Sequence, residues 1–324
     1  MKLEISDLSF SYEDKPVLDQ LSLSVREGEF VSILGPSGCG KSTILKLLTG
    51  VLKKESGSLL ANGREISHPA EHFAYMPQND LLFPWKNILD NVCLYGRIHG
   101  FLKEAREEAL KHFPAFGLSG YEYKYPDALS GGMRQRAAFL RTALCHADIL
   151  LLDEPFGALD VITRGEMQDW LLSMRERLNR TVLLVTHDMD EAIYLSDRIL
   201  ILNGSPARIT WETAISEKSR TRSWLYSQGA LRQTIYEKVV ETTGRKSIDC
   251  ALRCPRPHRD YRRTDTQKKS EHSLPHLRHR SGGSKDSWKS WQPIPPSPLL
   301  SVQPLDSTPG RRIRYPSGPW NRGF

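Results

Sequence analysis

The sequence predicts an α/β fold with a parallel β-sheet core, an antiparallel β subdomain at the amino terminus and an inserted α-helical subdomain. Apolar and polar residues alternate over the first 25 residues, residues 87–146 show helical periodicity, and two continuous apolar runs flank a later helical segment. Alternation is typical of antiparallel strands with one buried face. Continuous apolar strands joined by a helix are typical of a parallel sheet covered on both faces.

The amino-terminal part supplies strands and then a glycine-rich junction. The segments "KLEISDLSFSY" and "LSLSV" predict the antiparallel strands, and "EFVSILG" predicts a fully buried strand. A helix is predicted over "KSTILKLLTGVL", directly after the junction "GPSGCGKST". The junction therefore connects the end of a strand to the start of a helix.

Helices and two further buried strands follow. In the predicted helical subdomain, about residues 87–146, "KEAREEALKHF" has apolar residues at three- and four-residue spacing. The apolar runs in "DILLLDEP" and "TVLLVTHD" predict buried strands on either side of the helix "RGEMQDWLLSMRERL". This strand, helix and strand succession predicts the parallel core.

Charge divides the chain into two parts. The net charge is +7, but residues 245–324 hold 17 Lys and Arg against 6 Asp and Glu, together with 11 of the 20 prolines. This tail has no apolar period that could bury a core, so we expect it to be largely disordered. We predict one domain over residues 1–240 and a basic tail that is either an added segment or the product of a shifted reading frame.

Composition also argues against several classes of protein. No run of about 18 apolar residues is present, and "MKLEISDLSF" lacks a signal-peptide pattern, so we expect a chain that is neither secreted nor membrane-spanning. Five scattered cysteines fit a reducing cytosol better than a disulfide framework. The spacing of Cys250, Cys254 and His258 does not favour a zinc site.

The junction fits the spacing G-x-x-x-x-G-K-[ST] of a phosphate-binding (Walker A) loop. Glycines let successive backbone N–H groups point at phosphate oxygens, and the following helix adds the positive potential of its amino terminus. In such a loop the lysine reaches the β- and γ-phosphates and the hydroxyl after it binds Mg²⁺. We therefore predict a P-loop NTPase core whose loop contacts nucleotide through Gly35, Pro36, Ser37, Gly38, Cys39, Gly40, Lys41, Ser42 and Thr43.

Two acids end the next buried strand. Asp153 and Glu154 are adjacent in "ILLLDEP", and neighbouring side chains of a strand point to opposite sides. We predict that Asp153 faces the Mg²⁺ shell and that Glu154 faces an attacking water.

Cys39 lies inside the phosphate-binding loop. A thiol beside a helix amino terminus and Lys41 is expected to have a lowered pKa and to react readily. A small, buried and unreactive side chain is the alternative.

One segment narrows the class of P-loop NTPase to which this chain could belong. "LSGGMRQR", residues 129–136, resembles the signature motif of ATP-binding-cassette (ABC) ATPases, and "FSYEDKPVL", "MPQND", "FGALD" and "LLVTHD" resemble further motifs of that family in the family's order. The resemblance implies that Tyr12 stacks on adenine, Gln78 senses Mg²⁺ and the attacking water, and His187 contacts the γ-phosphate. It also implies that Asp160 crosses a dimer interface.

The resemblance covers residues 1 to about 240 and implies a site shared by two subunits. Two domains would face each other head to tail, with ATP and Mg²⁺ at Lys41 of one closed over by the other subunit's signature segment, Ser130, Gly131 and Gly132. Hydrolysis would then depend on a homodimer.

Three uses of such an ATPase compete. DNA-repair versions separate their halves by long coiled coils, whereas Gln78 and Ser130 lie only 52 positions apart, and ribosome-acting versions join two cassettes where this chain has one phosphate-binding loop. The resemblance therefore favours an importer subunit that docks on a separate membrane permease at the cytoplasmic face. It implies that a periplasmic or lipid-anchored substrate-binding protein is an indirect partner of this chain. It also implies that the chain binds no specific nucleic acid.

The substrate group is indicated by resemblance only. "NDLLFPWKNILDNV" is similar to a pattern of the nitrate, sulfonate and taurine importers, and "AFLRTAL", "EMQDWLLSM" and "THDMDEAIYLSDRI" are similar to the branch that imports thiamine precursors such as hydroxymethylpyrimidine. Both groups stay open, because the ATPase itself does not touch the transported solute.

Overall fold

The structure, a computed structural model, describes residues 1–178 and 180–241. The predictions for the basic tail, including its disorder and its Cys250, Cys254 and His258, lie outside the described residues.

Strands of one mixed sheet run through the described part of the chain. Their bounds are β1 Leu3–Tyr12, β2 Lys15–Val25, β3 Phe30–Leu34, β4 Ser56–Ala61, β5 Arg64–Glu65, β6 Phe73–Met76, β7 Ile149–Asp153, β8 Thr181–Thr186, β9 Arg198–Gly204 and β10 Ala207–Ala214. The order across the sheet is β5-β4-β1-β2-β10-β9-β3-β8-β7-β6. β9, β3, β8, β7 and β6 pair in parallel, and β1 pairs antiparallel with β2 and β4. The predicted parallel core and antiparallel amino-terminal subdomain are confirmed.

Helices cover both faces of this sheet. Their bounds are α1 Lys41–Leu48, α2 Pro69–His72, α3 Ile88–Val92, α4 Leu94–Ile98, α5 Leu102–His112, α6 Gly131–Ala143, α7 Val161–Leu178, α8 Met189–Leu195, α9 Arg222–Ser227 and α10 Gly229–Glu241, with a 3₁₀ turn at Pro126–Ala128. Side chains of α1 pack in the core on one face. Side chains of α3 and α5 to α8 pack in the core on the other.

Local sequence explains two boundaries that differ from expectation. α1 ends at Leu48, earlier than the predicted helix, because Gly50 takes a φ of +74° that ends helical geometry. The inserted helical region is divided into short helices, because Gly100, Gly117 and Gly120 all take a positive φ that interrupts helical geometry.

Sheet register places the site. Leu34 of β3 pairs with Thr186 of β8, and Asp153 of β7 pairs with Val185 of β8. The residues that follow these parallel strands therefore meet at one edge of the sheet, which brings together the phosphate-binding loop, the two acids and His187. Across residues 1–178 and 180–241, no helix combines the length and the hydropathy needed to cross a bilayer.

Candidate functional site

The glycines of the phosphate-binding loop permit close backbone packing. Gly40 precedes α1 with a φ of +104°, a conformation that disfavours any other residue. A Cβ at Gly35 would lie 2.4 Å from the carbonyl oxygen of Leu202, so a side chain there would displace the backbone of β9. The loop conformation therefore requires glycine at both positions.

Lys41 is held at the centre of this loop. Its Nζ donates to the carbonyl oxygens of Gly35 and Pro36, both at 2.9 Å, and lies 4.0 Å from Oε1 of Glu154. The side chain is buried. The ammonium group is thus the positive charge nearest the loop's backbone and the acid that follows β7.

Ser42 and Asp153 meet beside Lys41. The Ser42 hydroxyl donates to Oδ1 of Asp153 at 3.2 Å, and the Tyr75 hydroxyl donates to Oδ2 of the same carboxylate at 3.0 Å. Burial raises the pKa of Asp153, and the two hydroxyl donors oppose that shift. A carboxylate and a hydroxyl side by side form the oxygen donor set that Mg²⁺ prefers, so these residues fit the ion.

Glu154 lies directly after β7 in an uncommon backbone conformation. Its φ is +45°, a left-handed value that costs energy for a non-glycine residue and occurs often at functional sites. Its Oε2 lies 3.0 Å from Nδ1 of His187 and accepts from Nε2 of Gln78 at 3.5 Å. The carboxylate is therefore shared by three side chains, Lys41, His187 and Gln78.

A cavity of about 410 Å³ lies over the loop, and we call it the loop cavity. Its lining residues are Tyr12, Lys15, Pro16, Val17, Ser37, Gly38, Cys39, Gly40, Lys41, Ser42, Thr43, Glu154, Gly204 and Ser205. The exposed Tyr12 ring is supported edge-on by Phe10, with ring centroids 4.9 Å apart at 89°. An aromatic face, a basic loop and a carboxylate in one cleft can accommodate a base, a phosphate chain and a water, respectively.

The signature segment and Asp160 lie outside this cavity. The Ser130 hydroxyl accepts from the N–H of Met133 and caps α6, and Gly131 lines a separate cavity of about 330 Å³ together with Gln78. Asp160 accepts from the N–H groups of Ile162 and Thr163 at 3.1 Å each, and hydrogen bonds from Thr163 hold its pKa below the usual range. One chain therefore does not bring these residues to its own phosphate-binding loop.

The structure also includes residues that sequence reasoning missed. Tyr75 contacts Asp153, and Val17 lies over the loop, with its Cγ1 3.1 Å from the position of a Cβ at Gly40. Val17 stands in the segment "FSYEDKPVL" that predicted Tyr12, so that segment was a usable signal. Tyr75 offered none, because only the pairing of β6 with β7 places its hydroxyl beside the acid.

Of the two alternatives for Cys39, the lowered pKa was wrong. Burial raises the pKa of its thiol, and the lowering effect of the Lys41 charge is smaller. The half-buried side chain packs against the core residues of β1, β2 and α1 and also lines the loop cavity, and its Sγ is 2.9 Å from the position of a Cβ at Gly35. A thiol with a raised pKa is less reactive at neutral pH than an exposed thiol beside a cation, because less of it is thiolate.

Alkylation of Cys39 is therefore expected to be slow at pH 7 and to accelerate as pH rises above the usual thiol range, because only the thiolate reacts. Mass spectrometry of the peptide containing Cys39, after timed treatment with iodoacetamide at pH 7 and 9, measures this directly. Cysteine in an unfolded digest is the control. Complete labelling of Cys39 at pH 7 within the time that labels the unfolded control would contradict the raised pKa of its thiol.

The fold and site define an ATP-binding cassette. Residues 18–157 match the family model described as ABC transporter. The formylaminopyrimidine import ATP-binding protein ThiZ of Halalkalibacterium halodurans is 48% identical over 206 residues, 63% of this chain and 80% of that protein. The taurine import ATP-binding protein TauB of Escherichia coli O157:H7 is 40% identical over 208 residues, 64% of this chain and 82% of that protein. The chain belongs to the ABC transporter family.

A solved structure agrees with this assignment. The dimeric structure of MJ0796, a bacterial ABC transporter cassette, superposes with a TM-score of 0.57 at 28% identity, over 66% of this chain and 99% of that one. The predicted resemblance and the predicted P-loop NTPase fold are confirmed. The protein is an ATP-binding subunit of the ABC importer group and an ATPase.

Proposed function

We propose that two copies of this chain bind ATP head to tail and hydrolyse it to drive import through a separate membrane permease. The observation that carries the proposal is that one chain keeps the two predicted halves of the ATP site apart: Lys41 lines the loop cavity and Ser130 does not. The solved cassette MJ0796 is dimeric. A second copy would bring the partner subunit's Ser130 to the phosphates.

Within that site, Glu154 orients and deprotonates the attacking water. It follows β7 in a constrained conformation, and its Oε2 lies 3.0 Å from Nδ1 of His187. Lys41 offsets charge on the transferred phosphoryl group, and His187 holds the γ-phosphate. Gln78 contacts the same carboxylate, so a change at Glu154 would move Gln78 and the start of the helical region that follows Gln78. Tyr12 stacks on the base.

Mg²⁺ would be held by Ser42 and Asp153, whose oxygens already meet at 3.2 Å, with Gln78 as the third expected ligand. When bound, the ion neutralises negative charge that develops on the β- and γ-phosphate oxygens. The Tyr75 hydroxyl at 3.0 Å orients the Asp153 carboxylate toward Ser42.

An exposed apolar patch supports docking on a permease. It comprises Leu81, Trp85, Tyr123 and Tyr125, all exposed. Backbone hydrogen bonds from Ile88 and Leu89 to residues 124 and 122, at 2.9 Å each, hold the segment that follows Trp85 beside the segment that carries the two tyrosines. Large exposed apolar side chains that lie together are typical of protein contact sites.

The exposed apolar patch is linked to the site through α6. Arg141 donates to the carbonyl oxygens of Asp80 and Leu81 at 2.6 and 2.8 Å, and Arg134 pairs with the Asp80 carboxylate at 3.2 Å. Asp80 lies two residues after Gln78. A partner that moves Leu81 would therefore act on the segment that carries Gln78, as docking on a permease requires.

For the transported solute we propose a pyrimidine of the thiamine-precursor class. The support is the name of ThiZ, which assigns formylaminopyrimidine import to the 48% identical relative, together with the sequence resemblance to the hydroxymethylpyrimidine branch. Taurine, named for the 40% identical TauB, is the second candidate. An extracytoplasmic binding protein would deliver the solute to the permease.

Reconstitution tests these proposals. The chain is combined in liposomes with candidate importer permeases and their binding proteins, and uptake of hydroxymethylpyrimidine, formylaminopyrimidine and taurine is measured with internal ATP. We expect ATP-dependent uptake of a pyrimidine. Uptake of taurine alone would assign the second candidate, and failure of every permease tested to stimulate hydrolysis would contradict the importer mechanism.

Trp85→Ala is expected to lower permease-stimulated ATP hydrolysis about tenfold or more, because an exposed tryptophan at a contact centre carries much of the binding energy. Hydrolysis by the chain without permease should stay unchanged. Trp85 is 70% exposed, and Tyr226 of α9 is 71% exposed but lies outside the exposed apolar patch, so Tyr226→Ala is the matched control. Equal stimulation of the two variants would remove the patch from the docking site.

A further inference from the structure

One arginine connects the loop that carries Asp160 with the loop that carries His187. Nη2 of Arg164, in the first turn of α7, donates to the carbonyl oxygen of Leu159 at 3.1 Å. Its Nη1 lies 3.6 Å from Oδ2 of Asp188, the residue directly after His187. A single half-buried guanidinium therefore contacts both loops.

The Asp188 side of this connection is rigid. Oδ1 of Asp188 accepts from the N–H groups of Asp190 and Glu191 at 2.8 and 3.2 Å and so caps α8. Its own N–H donates to Oγ1 of Thr186 at 3.0 Å, and that hydroxyl donates to the buried Glu191 carboxyl at 2.6 Å. A displacement of Asp188 must therefore move the start of α8 and His187 together.

The other side is the Asp160 loop, residues 157–160, which packs against the signature segment. Leu159 Cδ2 is 3.5 Å from the position of a Cβ at Gly131, and the Thr163 methyl is 2.8 Å from that of a Cβ at Gly132. The next residues, Val161 and Ile162, are exposed apolar side chains. A surface that presses on these residues would shift the loop, and Arg164 with it.

The shape and contacts of the Arg164 guanidinium suit it to bridging the two loops. Its Nε is buried and has no hydrogen-bond partner among the described residues, so the two Nη contacts hold the group in place. Because guanidinium is planar and has several donors, it can bridge a carbonyl and a carboxylate at once, whereas a lysine ammonium is a single compact charge.

We propose that Arg164 is a positioning residue that couples movement of the Asp160 loop to the position of His187, so that closure of the second subunit prepares the γ-phosphate contact. This inference rests on the head-to-tail dimer of the proposed function. It adds a residue that touches neither ATP nor the partner's phosphates and that acts through Asp188.

A double-mutant cycle tests the coupling. Arg164→Gln, Asp188→Asn and the double variant are compared for kcat, KM for ATP and thermal midpoint. Asparagine caps helices as well as aspartate does, so Asp188→Asn removes the ion pair and keeps the α8 cap. Arg97→Gln is the matched control, because Arg97 is another half-exposed arginine paired with an aspartate, at 3.7 Å, on α4 away from the loop cavity.

Each single variant should lower kcat about tenfold with KM and thermal midpoint little changed, and the double variant should be no slower than the singles. Arg164→Lys should remain slow although its charge is kept. Wild-type kcat in both singles, or strictly additive losses, would overturn the coupling. Full activity of Arg164→Lys would overturn the requirement for a bridging group.

Failure of this inference can be separated from failure of the dimer. If the Ser130→Arg protein is inactive while Arg164→Gln and Asp188→Asn are fully active, the dimer stands and the coupling is wrong. If the Ser130→Arg protein hydrolyses ATP at the full rate, the head-to-tail dimer is wrong and the coupling falls with it.

Discussion

Replacing Glu154 with glutamine is expected to lower ATP turnover by about a hundredfold or more while ATP binding is retained. Glutamine keeps the size and an accepting oxygen for His187 and Gln78, whose atoms lie 3.0 and 3.5 Å from Oε2, but it cannot take a proton from water. Because binding persists without hydrolysis, the variant should accumulate as an ATP-bound dimer.

Steady-state phosphate release, equilibrium binding of a fluorescent ATP analogue and size-exclusion chromatography with ATP measure the three parts of this expectation. Glu55→Gln is the control, since Glu55 is a hydrogen-bonded carboxylate that accepts from Ser11 at 2.7 Å and lies outside the loop cavity. Near-normal turnover of Glu154→Gln would remove Glu154 from the role of base.

Ser130→Arg is expected to abolish hydrolysis and to spare ATP binding by the separate subunit. Ser130 does not line the loop cavity, so the monomer keeps every contact that Lys41 and its loop supply. In the head-to-tail dimer, an arginine at position 130 would project into the space of the partner's γ-phosphate and prevent closure. ATP binding by titration and hydrolysis across a range of protein concentrations measure the two effects.

Two further experiments separate the steric effect of the added arginine side chain from the effect of losing the serine hydroxyl. Ser130→Ala also removes the α6 cap, which costs about 1 kcal/mol, but adds no side chain that blocks closure. It should still dimerise with ATP. Mixing Ser130→Arg with Lys41→Ala should restore part of the activity, because one composite site then holds an intact Lys41 and an intact Ser130. Full hydrolysis by a strictly monomeric preparation would contradict the shared site.

The sequence by itself determined the class of the fold and most of the candidate residues. Glycine spacing, a lysine and a hydroxyl after a buried strand specify a loop conformation within nine consecutive residues, so local chemistry suffices to predict it. Continuous apolar runs likewise predicted β3, β7 and β8, because a strand that is buried on both faces is apolar along its whole length. The roles of the individual side chains remain predictions.

Other features depended on residues distant in the chain. The sequence could not show that Tyr75 reaches Asp153, that Arg164 bridges Leu159 and Asp188, or that Cys39 is buried enough to raise its pKa. Each depends on strand pairing or helix packing between separate segments. The sequence expectation for Cys39 weighed only its neighbours Lys41 and the helix terminus, whereas the structure adds desolvation by the surrounding core, which is the larger effect.

Local spacing therefore determined which groups can do the chemistry, since a phosphate-binding loop is built from contiguous residues. Only the tertiary structure decided which groups meet, because β3, β7 and β8 lie side by side although they are far apart in sequence. It also placed Ser130 and Asp160 outside the loop cavity, at the start of α6 and directly before α7. The burial and the contacts of a side chain depend on neighbours from several segments, and no single stretch of sequence contains them.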